Sequence, residues 1–258
     1  MENAGLVGLS RQVALQRALD VTANNIANMN TNGFKAENVV FEEFLNSQAR
    51  DNSFAGVNRR VSFVADRATW HDLRQGPTVQ TGNPLDLTIA GAGFLAVQTP
   101  SGERYTRNGA LQINAAGELV TSEGYQVLGD NGPILLQPQD KGIAVGGDGT
   151  VTVTTGQAIE SSQRGKVRIV EFENPGRLRK EGASLFSAPD GMQAQAATRS
   201  RIVQGSVEQS NVQSVVEMSR MVEITRAYTN LAQMIQNQSD MRRTSIERLA
   251  EIPASPER

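Results

Sequence analysis

Of the residues able to do chemistry, the chain has one histidine, His71, beside its one tryptophan, Trp70. An imidazole can serve as a general base near neutral pH. It needs a nucleophile or an acid partner, and nothing around His71 has the spacing of such a constellation. With zero cysteines and one histidine, a zinc site has almost no ligands to use, and disulfides and thiolate chemistry are excluded. Gly91-Ala92-Gly93 lacks the third glycine and the following helix of a dinucleotide loop and reads as a strand bend. Gly146-Gly147-Asp148-Gly149-Thr150 has the look of one calcium-binding glycine repeat, but such repeats work as arrays and this is a single copy. The carboxylate pair Glu42-Glu43 is placed on a solvated helix face. The expectation is a protein that is no enzyme, holds no cofactor or metal and takes no small-molecule substrate.

Composition narrows the partners. The 258 residues can bury one large core or two medium ones. Charge is nearly balanced, 25 basic against 27 acidic residues, and aromatics make up 5%. Neither number favours nucleic acid. No apolar run approaches the roughly 20 residues of a membrane helix, so no membrane insertion is expected. Met1-Glu2-Asn3 lacks the positive start and apolar stretch of a secretory signal. The chain is expected either to remain in the cytoplasm or to leave by a route that reads no cleaved leader.

The elements that must position these residues fall into two kinds. Residues 5–28 and roughly 211–250 are helical by apolar spacing. Leu6, Leu9 and Val13 form one track, and Leu15, Leu19, Thr22 and Ile26 a second. Towards the other end Met221, Ile224, Tyr228, Leu231 and Ile235 repeat the alternation beside Val215, Met218, Val222 and Thr225. That heptad rhythm winds helices around one another. Two tracks on one helix give it two faces to bury, one more than a hairpin of the chain's own ends can cover. Asn24, Asn25, Asn28, Asn30 and Asn32, then Gly33, mark a hydrogen-bonded corner at the first helix exit. Residues 34–50 read as extended and then helical, and Arg59 to Trp70 as a strand. From about 60 to 195, short strands are broken by Gly turns at 114–117, 130–133, 146–149 and 174–176. Leu85, Leu87 and Ile89 read as half buried, and Phe94 to Val97 as more fully buried. Turns this regular favour an antiparallel sandwich or barrel over a parallel α/β sheet.

Several of these segments resemble the bacterial flagellar axial proteins, the rod, hook and hook-associated subunits. Ala23-Asn24-Asn25-Ile26-Ala27-Asn28 with Thr31-Asn32-Gly33-Phe34-Lys35 is similar to that family's N-terminal signature. Thr81 to Asp86 with Gly91-Ala92-Gly93-Phe94 looks like the approach to its central β domain. Tyr105-Thr106-Arg107-Asn108-Gly109 and the segments 117–120 and 124–129 continue it. Arg226-Ala227-Tyr228 matches the C-terminal signature. The likeness spans essentially the whole chain. Length and the first ten residues look most like a proximal-rod subunit of the basal body, with a distal-rod subunit as the alternative. From a different class, a trimeric adhesin or tail-fibre-like β protein is the rival.

The resemblance implies an α+β fold, with paired N- and C-terminal coiled-coil-like helices as a stalk and a central antiparallel all-β domain. The expected division is 1–33 for the N-terminal assembly helix and 34–75 for a connecting segment with the first strands. Residues 76–195 form the β domain, and 196–258 the return segment and C-terminal assembly helix. It further implies export by the flagellar type III apparatus without a cleaved signal peptide. Assembly with itself and with other rod proteins then gives a hollow helical shaft across the periplasm that carries torque. On this reading Leu6, Leu9, Val13, Leu19, Ile26, Met218, Met221, Val222, Ile224, Tyr228, Leu231 and Ile235 form the assembly seam. Asn24, Asn25, Asn28 and Gly33 fix the corner where stalk meets body, and Tyr105, Arg107 and Gly109 shape a β-domain turn. Thr31, Phe34, Lys35 and Thr106 complete the signatures.

Overall fold

The computed structural model describes residues 2–46, 61–155, 161–182 and 184–250. The fold is α+β and divides into two compact units. One contains Met1–Asn24, Glu37–Trp70 and Val215–Arg258; the other contains Asn25–Ala36 and His71–Ser214.

The first unit holds helix α1 (Glu2–Ala27) up to Asn24, and nearly all of helix α2 (Ser214–Ala250). It also holds a two-stranded pair formed by Glu37–Asn46 and Val61–His71. Residues 37–46 are thus extended throughout, which corrects the expected switch to helix after residue 34 and takes Glu42 and Glu43 off a helix. The physical reason is local: Val39, Val40, Phe41 and Phe44 are β-branched or aromatic types that fit a pleated surface. Residues 47–60, read as a loose connection, lie outside the described residues. α2 begins with Glu217 in its first turn, where a carboxylate faces the positive end of the helix dipole, and carries Arg248 in its last.

In the second unit the strands pair in antiparallel registers. The central strand of its largest sheet, Phe94–Thr99, is buried on both faces because each face meets a different core. Leu95 and Val97 point into a cluster with Leu87, Ile89, Leu111 and Val127. Phe94 and Ala96 point the other way, among Tyr105, Val170, Phe172 and Phe186. Period-two alternation therefore gives one strand two dry sides. Leu87–Ala90 has Leu87, Thr88 and Ile89 all buried, rather than alternating, and Arg201–Gln204 pairs along it. Ser206–Glu208 pairs with Thr78–Gln80 in the same way. These pairings carry the second unit on to Ser214, past the residue 195 boundary read from the sequence.

A three-stranded sheet of Asp140–Val145, Thr150–Thr155 and Ser161–Lys166 turns at residues 146–149. Gly149 there adopts φ +91°, a conformation that glycine takes without strain. The Gln204 side chain lies along the outer strand of this sheet. Its Oε1 accepts the Val145 N–H at 3.1 Å, and its Nε2 donates to the Ile143 carbonyl at 2.9 Å and the Pro84 carbonyl at 2.7 Å.

Candidate assembly interface

The signature residues at the first helix exit come together with those of the 105–109 segment around a residue the sequence did not single out, Glu208. After Ala27 the chain turns through Asn28, whose side-chain oxygen accepts the Thr31 hydroxyl at 3.2 Å. Gly33 then takes φ +69° and donates its N–H to the Glu208 carbonyl at 2.8 Å. A Cβ on Gly33 would lie 2.4 Å from the Arg107 carbonyl carbon, so main chain packs on main chain there. Phe34 is buried, with the Lys180 ammonium 3.7 Å from its ring centre. Lys35, wholly buried, reaches the Glu208 carboxylate at 2.5 Å and the Arg74 carbonyl at 2.7 Å.

Arg107 closes the cluster from the other side. Its Nη1 lies 3.3 Å from Glu208 Oε2, its Nη2 donates to the Gly91 carbonyl at 2.7 Å, and the guanidinium lies 5.0 Å from the Phe94 ring centre. The Gly76 N–H donates to Glu208 Oε1 at 2.9 Å, beside the Lys35 ammonium. Asn211 completes the clasp: its Oδ1 accepts the Ala36 N–H at 2.8 Å and its Nδ2 donates to the Asp72 carbonyl at 2.7 Å. Burial pushes the Lys35 ammonium and the Arg107 guanidinium below their usual values, and the Glu208 carboxylate opposes that shift in both. Two buried cations share one buried carboxylate, and the Arg107 Nε has no hydrogen-bond partner among the described residues, so removing that carboxylate would leave both charges uncompensated.

The neighbouring signature residues shape this wall. Tyr105 meets Phe172 edge-on, ring centres 4.8 Å apart, and burial with the Glu103 carboxylate pushes its hydroxyl up to about 12. The Thr106 hydroxyl donates to the Ser184 carbonyl at 2.8 Å and accepts the Asn108 N–H at 3.0 Å. Gly109 passes so close to Leu87 that a Cβ would sit 1.6 Å from its carbonyl oxygen. Asn25 is buried, whereas Asn24 lies at the surface.

The helical tracks behave differently from each other. On α2, Leu231 is buried and Met221, Ile224, Tyr228 and Ile235 are partly covered. On α1 the covered residues are Gly8, Ala14, Val21 and Thr22, with Leu19 and Ile26 partly covered. Gln12 Nε2 donates to the Tyr228 hydroxyl at 3.0 Å, and a Cβ on Gly8 would lie 3.2 Å from Ile235. The remaining tracks face solvent: Leu9 is 55% and Val13 62% exposed on α1, and Val215 73%, Met218 48% and Val222 49% on α2. The Leu6 side chain lies outside the described residues.

His71 and Asp148, the two residues weighed for chemistry, have structural surroundings. His71 meets the Phe186 ring edge-on at 5.8 Å. Asp148 accepts both the N–H and the hydroxyl of Thr150, which holds its carboxyl below the usual range. Glu208 escapes a reading of the sequence because it stands as a lone acid in a short strand, and Asn211 because it lies where the terminal helix was expected to begin. The available signal is indirect: Lys35 and Arg107 sit inside otherwise buried motifs and need a carboxylate from elsewhere.

Three family models match in chain order. The one described as flagella basal body rod protein covers residues 6–35, and the flagellar hook protein FlgE/F/G D1 domain covers 88–153. The flagellar basal body rod FlgEFG protein C-terminal model covers 203–249. The flagellar basal-body rod protein FlgF of Caulobacter vibrioides is 39% identical over 253 residues, 98% of this chain and 100% of its own. The chain belongs to the flagellar basal-body rod protein family. FlgF of Mesorhizobium japonicum is 34% identical over 91% of this chain and 92% of its own. FlgG of Bacillus subtilis is 30% identical over 88% and 92%. This rod protein is therefore a structural component of the flagellar basal body, and the fibre or adhesin reading has no support. Lys35 and Glu208, the closest pair of the clasp, come from the two terminal segments that the rod models match, and Arg107 comes from the D1 match.

Proposed function

We propose that this chain is a proximal-rod subunit of the FlgF type that builds the shaft through its two terminal helices. The observation that carries the reading is the split between tracks: one apolar track on each helix is covered within the chain, and the other is left to solvent. Covering the exposed residues against neighbouring subunits contributes roughly 1.5–3 kcal/mol per fully buried large side chain. Ordering entropy offsets much of that gain, so growth depends on several such residues together. An open helical filament joins unlike surfaces head to tail, and the Leu9–Val13 track of one helix and the Val215–Met218–Val222 track of the other are unlike surfaces.

The covered tracks pair α1 with α2 as an antiparallel coiled-coil-like stalk. The Gln12–Tyr228 bond and the approach of Gly8 to Ile235 support that direction, because the partner number rises as the α1 number falls. The FlgF relative's 39% identity over the full length, against 30% for a FlgG, favours the proximal rod over the distal one. On this reading the subunit leaves the cell by type III export without a cleaved leader. It then joins copies of itself and other rod proteins in a hollow shaft that crosses the periplasm and passes torque to the hook.

The test is a complementation experiment in a strain lacking this subunit, using Leu9→Asp together with Val222→Asp. The expected result is loss of swimming and of rods beyond the base, while the purified variant keeps its parent's far-ultraviolet spectrum. Normal swimming of a cell carrying both substitutions would refute the assembly role of the exposed tracks.

A further inference from the structure

The second unit carries an open cleft of about 560 Å³ between the 146–149 turn, residues 166–170 and the 194–201 stretch. Three acids and three bases line it, and they are not equally free. Glu103 holds the Arg168 guanidinium at 2.5 Å and also takes the Tyr105 hydroxyl. Asp148 turns back on its own loop, accepting the Thr150 N–H at 3.1 Å and the Thr150 hydroxyl at 2.6 Å. Asp130 is the one lining carboxylate that no hydrogen bond or ion pair occupies among the described residues.

The bases are in the opposite condition. Lys166 and Arg201 have no carboxylate within 4.0 Å among the described residues, although Lys166 is near enough to Asp148 to help hold that carboxyl down. Arg168, although paired, keeps a buried Nε without a hydrogen-bond partner. Unused donors outnumber unused acceptors, so the chemistry that fits is a carboxylate rather than an amine.

The rest of the wall points to a peptide as its bearer. Ala194, Ala196 and Ala197 give a floor of small apolar side chains, which suits main chain better than a bare hydrated anion. The short strand Gln195–Ala196 pairs only with Ile169–Glu171 among the described residues, so its outer main-chain groups can accept an added strand.

We propose that this cleft binds an extended acidic peptide, its carboxylates on Lys166 and Arg201 and its main chain beside residues 194–198. The site is separate from the helical tracks and does not depend on the rod reading.

The test uses the full chain, isotope-labelled for amide spectra. It is titrated with an N-acetylated, C-amidated peptide of alternating glutamate and alanine, with the lysine counterpart, and with inorganic phosphate. The expected result is saturable shifts confined to residues 147–148, 166–170 and 194–201 with the glutamate peptide. Lys166→Gln with Arg201→Gln should weaken that binding by about tenfold or more, with the remaining spectrum unchanged because neither side chain is buried in the core. Equal binding of the lysine peptide or of phosphate at the same amides would overturn the proposal, and so would unchanged affinity in the double variant. Absence of saturable shifts in the parent chain would overturn it without recourse to any variant.

Discussion

The clasp at Glu208 and the terminal helices handle unsatisfied groups in opposite ways. At the clasp, Lys35, Glu208 and Asn211 place their polar atoms on one another and on the main chain of residues 33–36 and 72–76. On the helices, large apolar side chains such as Val13 and Val215 stay in water. A buried ion cluster costs the most when one member is removed. An exposed apolar residue costs almost nothing to change until something covers it. The clasp therefore spends its charges within one chain, whereas Leu9, Val13, Val215, Met218 and Val222 remain open to solvent in it.

The largest expected effect comes from Glu208→Ala, which would leave Lys35 and Arg107 buried without their carboxylate. It should destabilise the second unit by about 3–5 kcal/mol, read from the urea midpoint of the amide signals of residues 94–99. An unchanged midpoint would mean that the clasp does not hold the unit together.

Next is a contrast within the helices. Leu231→Asp places a carboxylate at a covered position and should cost the helical unit about 2–4 kcal/mol, seen as faster amide exchange along α2. Leu9→Asp should alter the free chain by no more than about 0.5 kcal/mol. If the two substitutions had equal effects on the isolated chain, the distinction between covered and open tracks would disappear.

Gly109→Ala probes how tightly the second unit is closed. With the Leu87 carbonyl 1.6 Å from the new Cβ, the main chain must move, at a cost of about 1–3 kcal/mol, measurable as a lowered Tm. The smallest effect is on the acid side. Bonds from Arg164 hold the Asp140 carboxyl below its ordinary value of 3.8, so the unfolded chain takes up that proton first as pH falls. The contribution is complete above the unfolded value and is lost as pH drops through the lower folded one. Arg164→Gln should therefore flatten the acid limb of a stability–pH curve below about pH 4, and the pH dependence near neutrality should stay as it is.

Much of this molecule is readable in its residue order. Heptad spacing locates both helices, since Leu15, Leu19 and Ile26 or Ile224, Leu231 and Ile235 have one periodicity and one solution. Glycine turns locate the hairpins at 114–117 and 146–149. Residues 37–46 mislead because Phe41, Phe44 and Leu45 satisfy either period over so short a stretch. Leu87, Thr88 and Ile89 mislead because their surroundings come from strands far along the chain, including Ile202 over a hundred positions later. Glu208 is invisible for the same reason: its meaning comes from Lys35 and Arg107, which only the folded chain brings to it.

The Gln204 side chain has a consequence for a subunit of a crowded assembly. By occupying the Val145 amide and the Ile143 carbonyl at the end of the 140–145 strand, it blocks part of the place another chain's strand would take. Crowded subunits are thereby denied one route to sticky, fibril-like sheets.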